Sequence, residues 1–193
     1  MLFGVAVRRG DLDLVQRLPT PQWNYVDLGF AVWQGHSEVV QYLLDRLNGS
    51  EDVMLATCLL LAIHQDRLEL VRALLNKNND LLTKILCNGF APVHLAAMQG
   101  RTEILRFLIH EGVDVNRTRY VMEVVFTAMF FRARNPLSMA ALQGQHKCVQ
   151  LLLENGADAS GLTITPSVDE DGCIDRIALR KYFSKSYISF GQS

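Results

Sequence analysis

Closely spaced cysteines, net charge and long apolar runs are all lacking in this sequence, and each lack removes a class of protein. The 193 residues hold four cysteines, Cys58, Cys87, Cys148 and Cys173, separated in turn by 29, 61 and 25 positions. No close pair exists to clasp zinc or to cycle between dithiol and disulfide, so reduced, mostly buried thiols in an intracellular protein are expected. Lysine plus arginine number 19 against 20 aspartate plus glutamate, and a net charge of −1 offers no general field for nucleic acid or acidic lipid. The segment that most resembles a membrane span, residues 121–131, carries Glu123 and is far shorter than the roughly 20 residues needed to cross a bilayer. The apolar start of the chain (Leu2, Phe3, Val5) has no preceding basic region and no convincing cleavage site, so it is not expected to be a secretory signal. With 49% hydrophobic and 20% charged residues the chain has ordinary globular composition, enough to bury a core in one large domain or a domain with an extension.

What is present is a repeat. Gly89-Phe90-Ala91-Pro92-Val93-His94-Leu95-Ala96-Ala97-Met98-Gln99-Gly100 continues through Ile104, Leu105, Leu108 and Ile109 to Gly112-Val113-Asp114-Val115-Asn116. A relative follows in Asn135-Pro136-Leu137-Ser138-Met139-Ala140-Ala141-Leu142-Gln143-Gly144, then Cys148-Val149-Gln150-Leu151-Leu152-Leu153 and Gly156-Ala157-Asp158. Pro92 and Pro136 stand where a first helical turn has a spare N–H to lose, so they start helices. Paired alanines permit close approach of neighbouring helices, and the apolar residues beyond recur at helical spacing. Gly100 and Gly144 are expected to end each first helix in the left-handed conformation, and Gly112 and Gly156 each second helix.

These two stretches resemble ankyrin repeats. Weaker copies run from Ala6 to Leu18, from Ala31 to Leu44 and from Leu61 to Leu75, the last with Asp66 in place of the turn glycine, a residue that tolerates left-handed geometry. The turns at 10, 35, 66, 100 and 144 lie 25, 31, 34 and 44 residues apart, against an ankyrin period of about 33. The fold expected is therefore all-α, an ankyrin-repeat solenoid of about five helix-turn-helix repeats over residues 1–160, with short finger loops early and an insertion at 118–132. That insertion carries Val121, Val124, Val125, Phe126, Met129, Phe130 and Phe131, so it should fold back over the groove between repeats four and five or dock another domain. Residues 161–193 should supply a carboxy-terminal capping helix, near 174–183, and an exit linker.

The resemblance also indicates where a partner would sit. The two residues before each turn are Arg8-Arg9, Trp33-Gln34, His64-Gln65, Met98-Gln99 and Leu142-Gln143, and in ankyrin folds these positions face the concave groove. With Phe90 they form the expected partner-binding set, in which Trp33 anchors, Met98 adapts to shape and the glutamines pair with a ligand backbone. Ordinary packing between first helices, with glutamines solvating the rim, is the competing account.

Catalytic and metal signals are weak. His36, His64, His94, His110 and His146 form no ligand or nucleophile–base motif, and His94, in Pro92-Val93-His94, matches an ankyrin position whose side chain stitches neighbouring loops. Residues 167–178 have the outline of a calcium loop, but Ser167 and Ala178 stand where carboxylates are required. Phosphate-binding glycine loops and serine elbows are lacking. The basic cluster Arg176, Arg180, Lys181 and Lys185 suits the end of a helix as well as it suits a ligand. Asn48-Gly49-Ser50 and Asn116-Arg117-Thr118 match the glycosylation pattern but are expected to be unused loops.

No cofactor and no metal are therefore expected. The function expected is a non-enzymatic, cytoplasmic protein-interaction scaffold binding a protein segment or a neighbouring domain of the same chain, with no nucleic acid and no membrane span. An enzyme with a site assembled from distant residues is the alternative of another class. Trp33-Gln34-Gly35-His36-Ser37-Glu38-Val39-Val40, the insertion before Asn135-Pro136-Leu137 and the late Leu179-Arg180-Lys181-Tyr182-Phe183 are further similar to the amino-terminal ankyrin segment of leucine-rich-repeat kinases of the Roco family. That resemblance implies a regulatory scaffold from a larger protein bearing leucine-rich repeats, a GTPase and a Ser/Thr kinase. A free-standing ankyrin adaptor or inhibitor suits the same residues.

Overall fold

The structure is a computed structural model that describes residues 2–18, 25–47, 52–83, 90–125 and 128–159, with the backbone alone for Tyr25 and for residues 119–134. The expected cap and linker, the calcium-like loop, Cys87 and Cys173 lie outside the described residues. So do the connections 19–24, 48–51 and 84–89, on which the expected short fingers fall.

Ten helices among the described residues alternate as first and second members of five pairs. The first helices are α1 (Leu2–Arg9), α3 (Tyr25–Gln34), α5 (Asp52–His64), α7 (Pro92–Met98) and α9 (Pro136–Leu142); the second are α2 (Leu12–Arg17), α4 (Ser37–Asp45), α6 (Leu68–Lys77), α8 (Thr102–His110) and α10 (His146–Glu154). First helices pack on first helices in chain order, and second helices do the same, so among the described residues the main contacts of each pair are with its neighbours. That nearest-neighbour architecture is the helical solenoid the repeat pattern implies.

The apolar spacing explains which face each helix buries. In α4 the buried set is Val39, Val40, Leu43 and Leu44; in α6 it is Leu70, Val71, Leu74 and Leu75; in α8 it is Ile104, Leu105 and Leu108. Each is a stripe of i, i+1, i+4 type, one side of a 3.6-residue helix. Burying a leucine of this kind stabilises the fold by about 2 kcal/mol relative to leaving it in water. A 3-10 turn at Asn79–Leu82 adds Leu81 and Leu82 to the core beside α5 and α6. Pro92 and Pro136 sit in the first helical turn as expected, and Asn135 caps α9 by accepting the Ser138 N–H at 2.8 Å.

Each first helix ends in a left-handed residue, Gly10, Gly35, Asp66, Gly100 or Gly144, and Gly112 and Gly156 follow α8 and α10 with the same handedness. Glycine is needed at several of these turns for a second reason. The residue after each turn reaches back over the turn of the preceding repeat. A Cβ on Gly10 would lie 2.5 Å from the His36 ring, a Cβ on Gly35 3.2 Å from the Arg67 guanidinium, and a Cβ on Gly100 would strike the Gln145 amide. The turn without glycine carries an acid instead: Asp66 holds φ at 60° and meets Arg101 of the next repeat in an ion pair of 3.8 Å.

The expected insertion is a two-stranded antiparallel ribbon, β1 (Arg119–Val125) paired with β2 (Ala128–Arg134), in a register that sets Arg119 opposite Arg134 and Val125 opposite Ala128. It is a local addition to the helical array, and its sequence of closely spaced β-branched and aromatic residues suits strands. Its root is tied to the loop after α10. Asn116 Nδ2 donates to the Gly156 carbonyl at 3.1 Å, the Asp158 N–H donates to Asn116 Oδ1 at 2.6 Å, and Asn135 Nδ2 donates to the Asp158 carbonyl at 3.1 Å. On the near side, His94 Nε2 bonds the Arg117 carbonyl at 2.8 Å. A carbonyl only accepts, so the proton is on Nε2, and His94 has the loop-stitching role expected of it.

Candidate partner-binding surface

Counting back from each turn gives a common frame for the first helices. Two positions before the turn stand Arg8, Trp33, His64, Met98 and Leu142. Arg8, Trp33 and His64 are exposed, whereas Met98 and Leu142 are half-buried. One position before the turn, Arg9, Gln34 and Gln143 are exposed and Gln65 and Gln99 half-buried. Phe90 is not part of this row: it precedes α7, at the opposite end from Met98, with its ring centroid 6.5 Å from that of His94.

Two of the glutamines have an internal job. The last carbonyls of a helix lack an intrahelical donor, and here the next repeat supplies it. His36 Nε2 donates to the Arg8 carbonyl at 3.1 Å, Gln65 Nε2 to the Trp33 carbonyl at 2.8 Å and Arg101 Nη2 to the His64 carbonyl at 2.5 Å. The Gln99 amide meets His64 Nδ1 at 2.8 Å. Gln65 and Gln99 thus bind successive repeats together, while Gln34 and Gln143 stay at the exposed surface.

Sequence reasoning missed a wider apolar strip. Five positions before the turn lie Val5, Phe30, Leu61, Leu95 and Met139. Val5 is 42% exposed and Phe30 and Leu61 half-buried, but Leu95 and Met139 are only 6% and 7% exposed. On α3, Val26, Phe30 and Trp33 recur at i, i+4 and i+7, and on α5 Val53, Thr57, Leu61 and His64 continue the same line, so these residues share one helical face. Val26 and Trp33 are each 54% exposed, Val53 is 68% exposed, and Leu2 on α1 is 69% exposed. Since α1 packs on α3 and α3 on α5, the strip crosses the first three repeats. The Arg8 guanidinium lies 4.4 Å over the Phe30 ring and borders it with positive charge. Extending the helical spacing backwards from Trp33 would have found Val26 and Phe30; Val53 was hidden because α5, at 13 residues, is longer than its counterparts.

Burial pushes the Cys58 thiol up to about 12, and raises Cys148 against a partial offset from the Thr102 hydroxyl 3.6 Å away, so both unpaired thiols are held protonated. Among the described residues no group of three His, Cys, Asp or Glu is placed to hold a metal ion, and no helix is long and apolar enough to cross a membrane. A cleft of about 500 Å³ between α8 and α10 lies on the second helices and mixes Glu103, Arg106, Lys147 and Glu154. It is separate from the strip.

An array of helix pairs whose main contacts are with their neighbours, and which show a long face of first helices, defines a repeat solenoid. Its family follows from direct comparison. Residues 3–84 and 28–119 match the family described as ankyrin repeats (3 copies), and residues 134–163 match a single ankyrin repeat. The chain belongs to the ankyrin-repeat family. Alpha-latroinsectotoxin-Lt1a of Latrodectus tredecimguttatus is 35% identical over 102 residues, 51% of this chain and 7% of the toxin. Ankyrin repeat domain-containing protein 35 of Homo sapiens is 41% identical over 58 residues, 30% of this chain and 6% of that protein. This chain thus spans a small fraction of either relative. Among solved structures, the ankyrin repeat domain of Bcl-3, described as a unique member of the IkappaB protein family, superposes with a TM-score of 0.64 at 22% identity, covering 82% of this chain and 72% of that one. That likeness is one of fold.

Proposed function

We propose that this protein is a non-enzymatic interaction scaffold that holds a segment of another protein, or of its own longer chain, against the first helices of repeats one to three. The observation that carries the reading is the exposure of Leu2, Val5, Val26, Trp33 and Val53 on three helices that pack side by side. Large exposed apolar residues gathered on one face mark interaction sites, and tryptophan is among the residues enriched as energetic anchors of such sites. Ankyrin family membership supports a protein-binding role in general. The finer assignments are ours: residues 1–160 as the repeat domain, 161–193 as cap and exit linker, and a cytoplasmic location. A place in a leucine-rich-repeat kinase rests on the short similarities around Trp33, at the insertion before Asn135-Pro136-Leu137 and at 179–183.

The test is site-directed photo-crosslinking in cells, with the photoreactive residue at position 33 on the strip or at position 103 on α8. A partner joined at 33 and not at 103 is then purified, and its affinity remeasured with Trp33→Ala and with Val26→Asp. Loss of about thirtyfold or more in affinity is expected, the scale of an anchor residue. Equal affinity of the variants would remove the assignment.

A further inference from the structure

We infer that the occupant of this strip is an amphipathic α-helix of about three turns that carries acidic residues on the flank facing Arg8 and Arg9. The inference rests on the interaction reading above and adds the conformation and charge of the partner.

The dimensions select the conformation. Packed helices lie about 8–10 Å apart, so a strip across α1, α3 and α5 is about 16–20 Å long. Along α3 it runs from Val26 to Trp33, seven residues or about 10 Å at a helical rise of 1.5 Å each. That width is close to the 10–12 Å diameter of a helix with its side chains, and the length is that of about 11–13 helical residues. An apolar stripe at i, i+4, i+7 and i+11 would meet Val5, Phe30 with Trp33, and Leu61 with Val53 in turn.

Hydrogen bonding selects it again. The strip is built from helix sides whose backbone groups are paired within α1, α3 and α5, and the carbonyls that end those helices are taken by His36, Gln65 and Arg101. An extended segment laid there would leave its own N–H and C=O groups facing leucine, valine and tryptophan, whereas a helix pairs them internally.

Charge sets the flank. The Arg, Lys, His, Asp and Glu residues on the three first helices are Arg8 and Arg9 on α1, Asp27 on α3, and Asp52 and His64 on α5. Asp27 and Asp52 stand at the starts of their helices, and Asp52 accepts from Asn78 Nδ2 at 2.7 Å. Arg8 and Arg9 end α1, both exposed, so one corner of the strip is basic. A carboxylate on the partner there gains a charge-assisted contact, and a lysine meets repulsion.

The experiment uses the full chain and two displayed libraries of 14-residue peptides. One is helix-favouring, with an apolar stripe and flank positions free to be Asp, Glu, Lys or Arg; its sister carries a central proline that prevents a continuous helix. Clones from the helical library with acidic flanks are expected. They should weaken about thirtyfold with Trp33→Ala and about tenfold with Arg9→Glu, and clones reselected on Arg9→Glu should carry basic flanks. Trp33 and Arg9 are exposed, and a retained cooperative thermal transition verifies folding of each variant. If clones come equally from the proline library, or with no preference in flank charge, while still depending on Trp33, the helical acidic partner is wrong and the interaction face stands. If no clone binds, or bound clones ignore both Trp33→Ala and Val26→Asp, the interaction face falls with it.

Discussion

Leu95 and Met139 occupy the same place in their helices as Val5, Phe30 and Leu61, yet the first two are buried and the others are not. The repeats that contain them differ in the same sense. In repeats four and five the first helices are seven residues long, begin with proline and bury nearly every side chain from Pro92 to Ala97 and from Pro136 to Ala140. In repeats two and three they run to ten and 13 residues, and the added turns carry Val26 and Val53 into solvent. The copies with a proline at the start of the first helix are those whose first helices are closed, while the three earlier copies hold the exposed apolar strip.

That contrast can be broken most sharply in the core of repeat four. Leu105→Ala removes a fully buried side chain, and a loss of about 3 kcal/mol is expected in denaturant unfolding. Val26→Ala on the strip should cost within about 0.5 kcal/mol. Equal losses would mean that the strip is packed and not displayed.

The turns sharpen it next. Gly100→Ala forces a left-handed alanine and drives its Cβ against Gln145, so a loss of about 2 kcal/mol is expected. Gly144→Ala carries the same backbone penalty with nothing within 4 Å of the new Cβ, and should cost about 1 kcal/mol. Adding Gln145→Ala to Gly100→Ala should bring the first value down to the second; a double-mutant cycle with no coupling would reject the clash.

A pH titration reaches the middle of the array. Cys58 has a thiol raised from 9.0 to about 12 by burial. Above pH 9 the unfolded thiol loses its proton while the folded one keeps it, so the unfolded state binds fewer protons and stability falls as pH rises. The slope from this group approaches about 1.4 kcal/mol per pH unit between pH 9 and 12. Urea midpoints of Cys58→Ala should therefore decline less steeply over that window; identical slopes would show that Cys58 is not held protonated. Trp33→Ala should cost about 1 kcal/mol of unfolding free energy, far less than a core truncation, because the ring is half in water already.

Much of the helical framework was legible because two local signals agree at each repeat: apolar spacing and a residue able to turn left-handed. Asp66 was readable as a turn for the second reason, although its pairing with Arg101 was not, since nothing in either local sequence joins positions 35 apart. The site was legible only at its edge. Trp33 sits beside a turn glycine and so falls on an aligned position, whereas Val53 lies 13 residues before its turn, where aligned repeats have already diverged. In sequence Gln65 and Gln99 read only as groove-facing residues; the arrangement of consecutive helices reveals that they meet the Trp33 carbonyl and the His64 ring.

The side chains that cross the turns give the array a direction. His36, Arg67, Arg101 and Gln145 all reach back from one repeat to the one before it, and none of these contacts points forward. Truncation from the two ends is then unequal. Cutting away repeat five uncovers the turn at Gly100, whereas removing repeat one takes away a turn and leaves the contacts over Gly35 in place. Erosion from the carboxy-terminal side should therefore loosen the turn of each surviving last repeat, one step at a time, and a protease working from that side would meet a freshly bared turn after every repeat it removes.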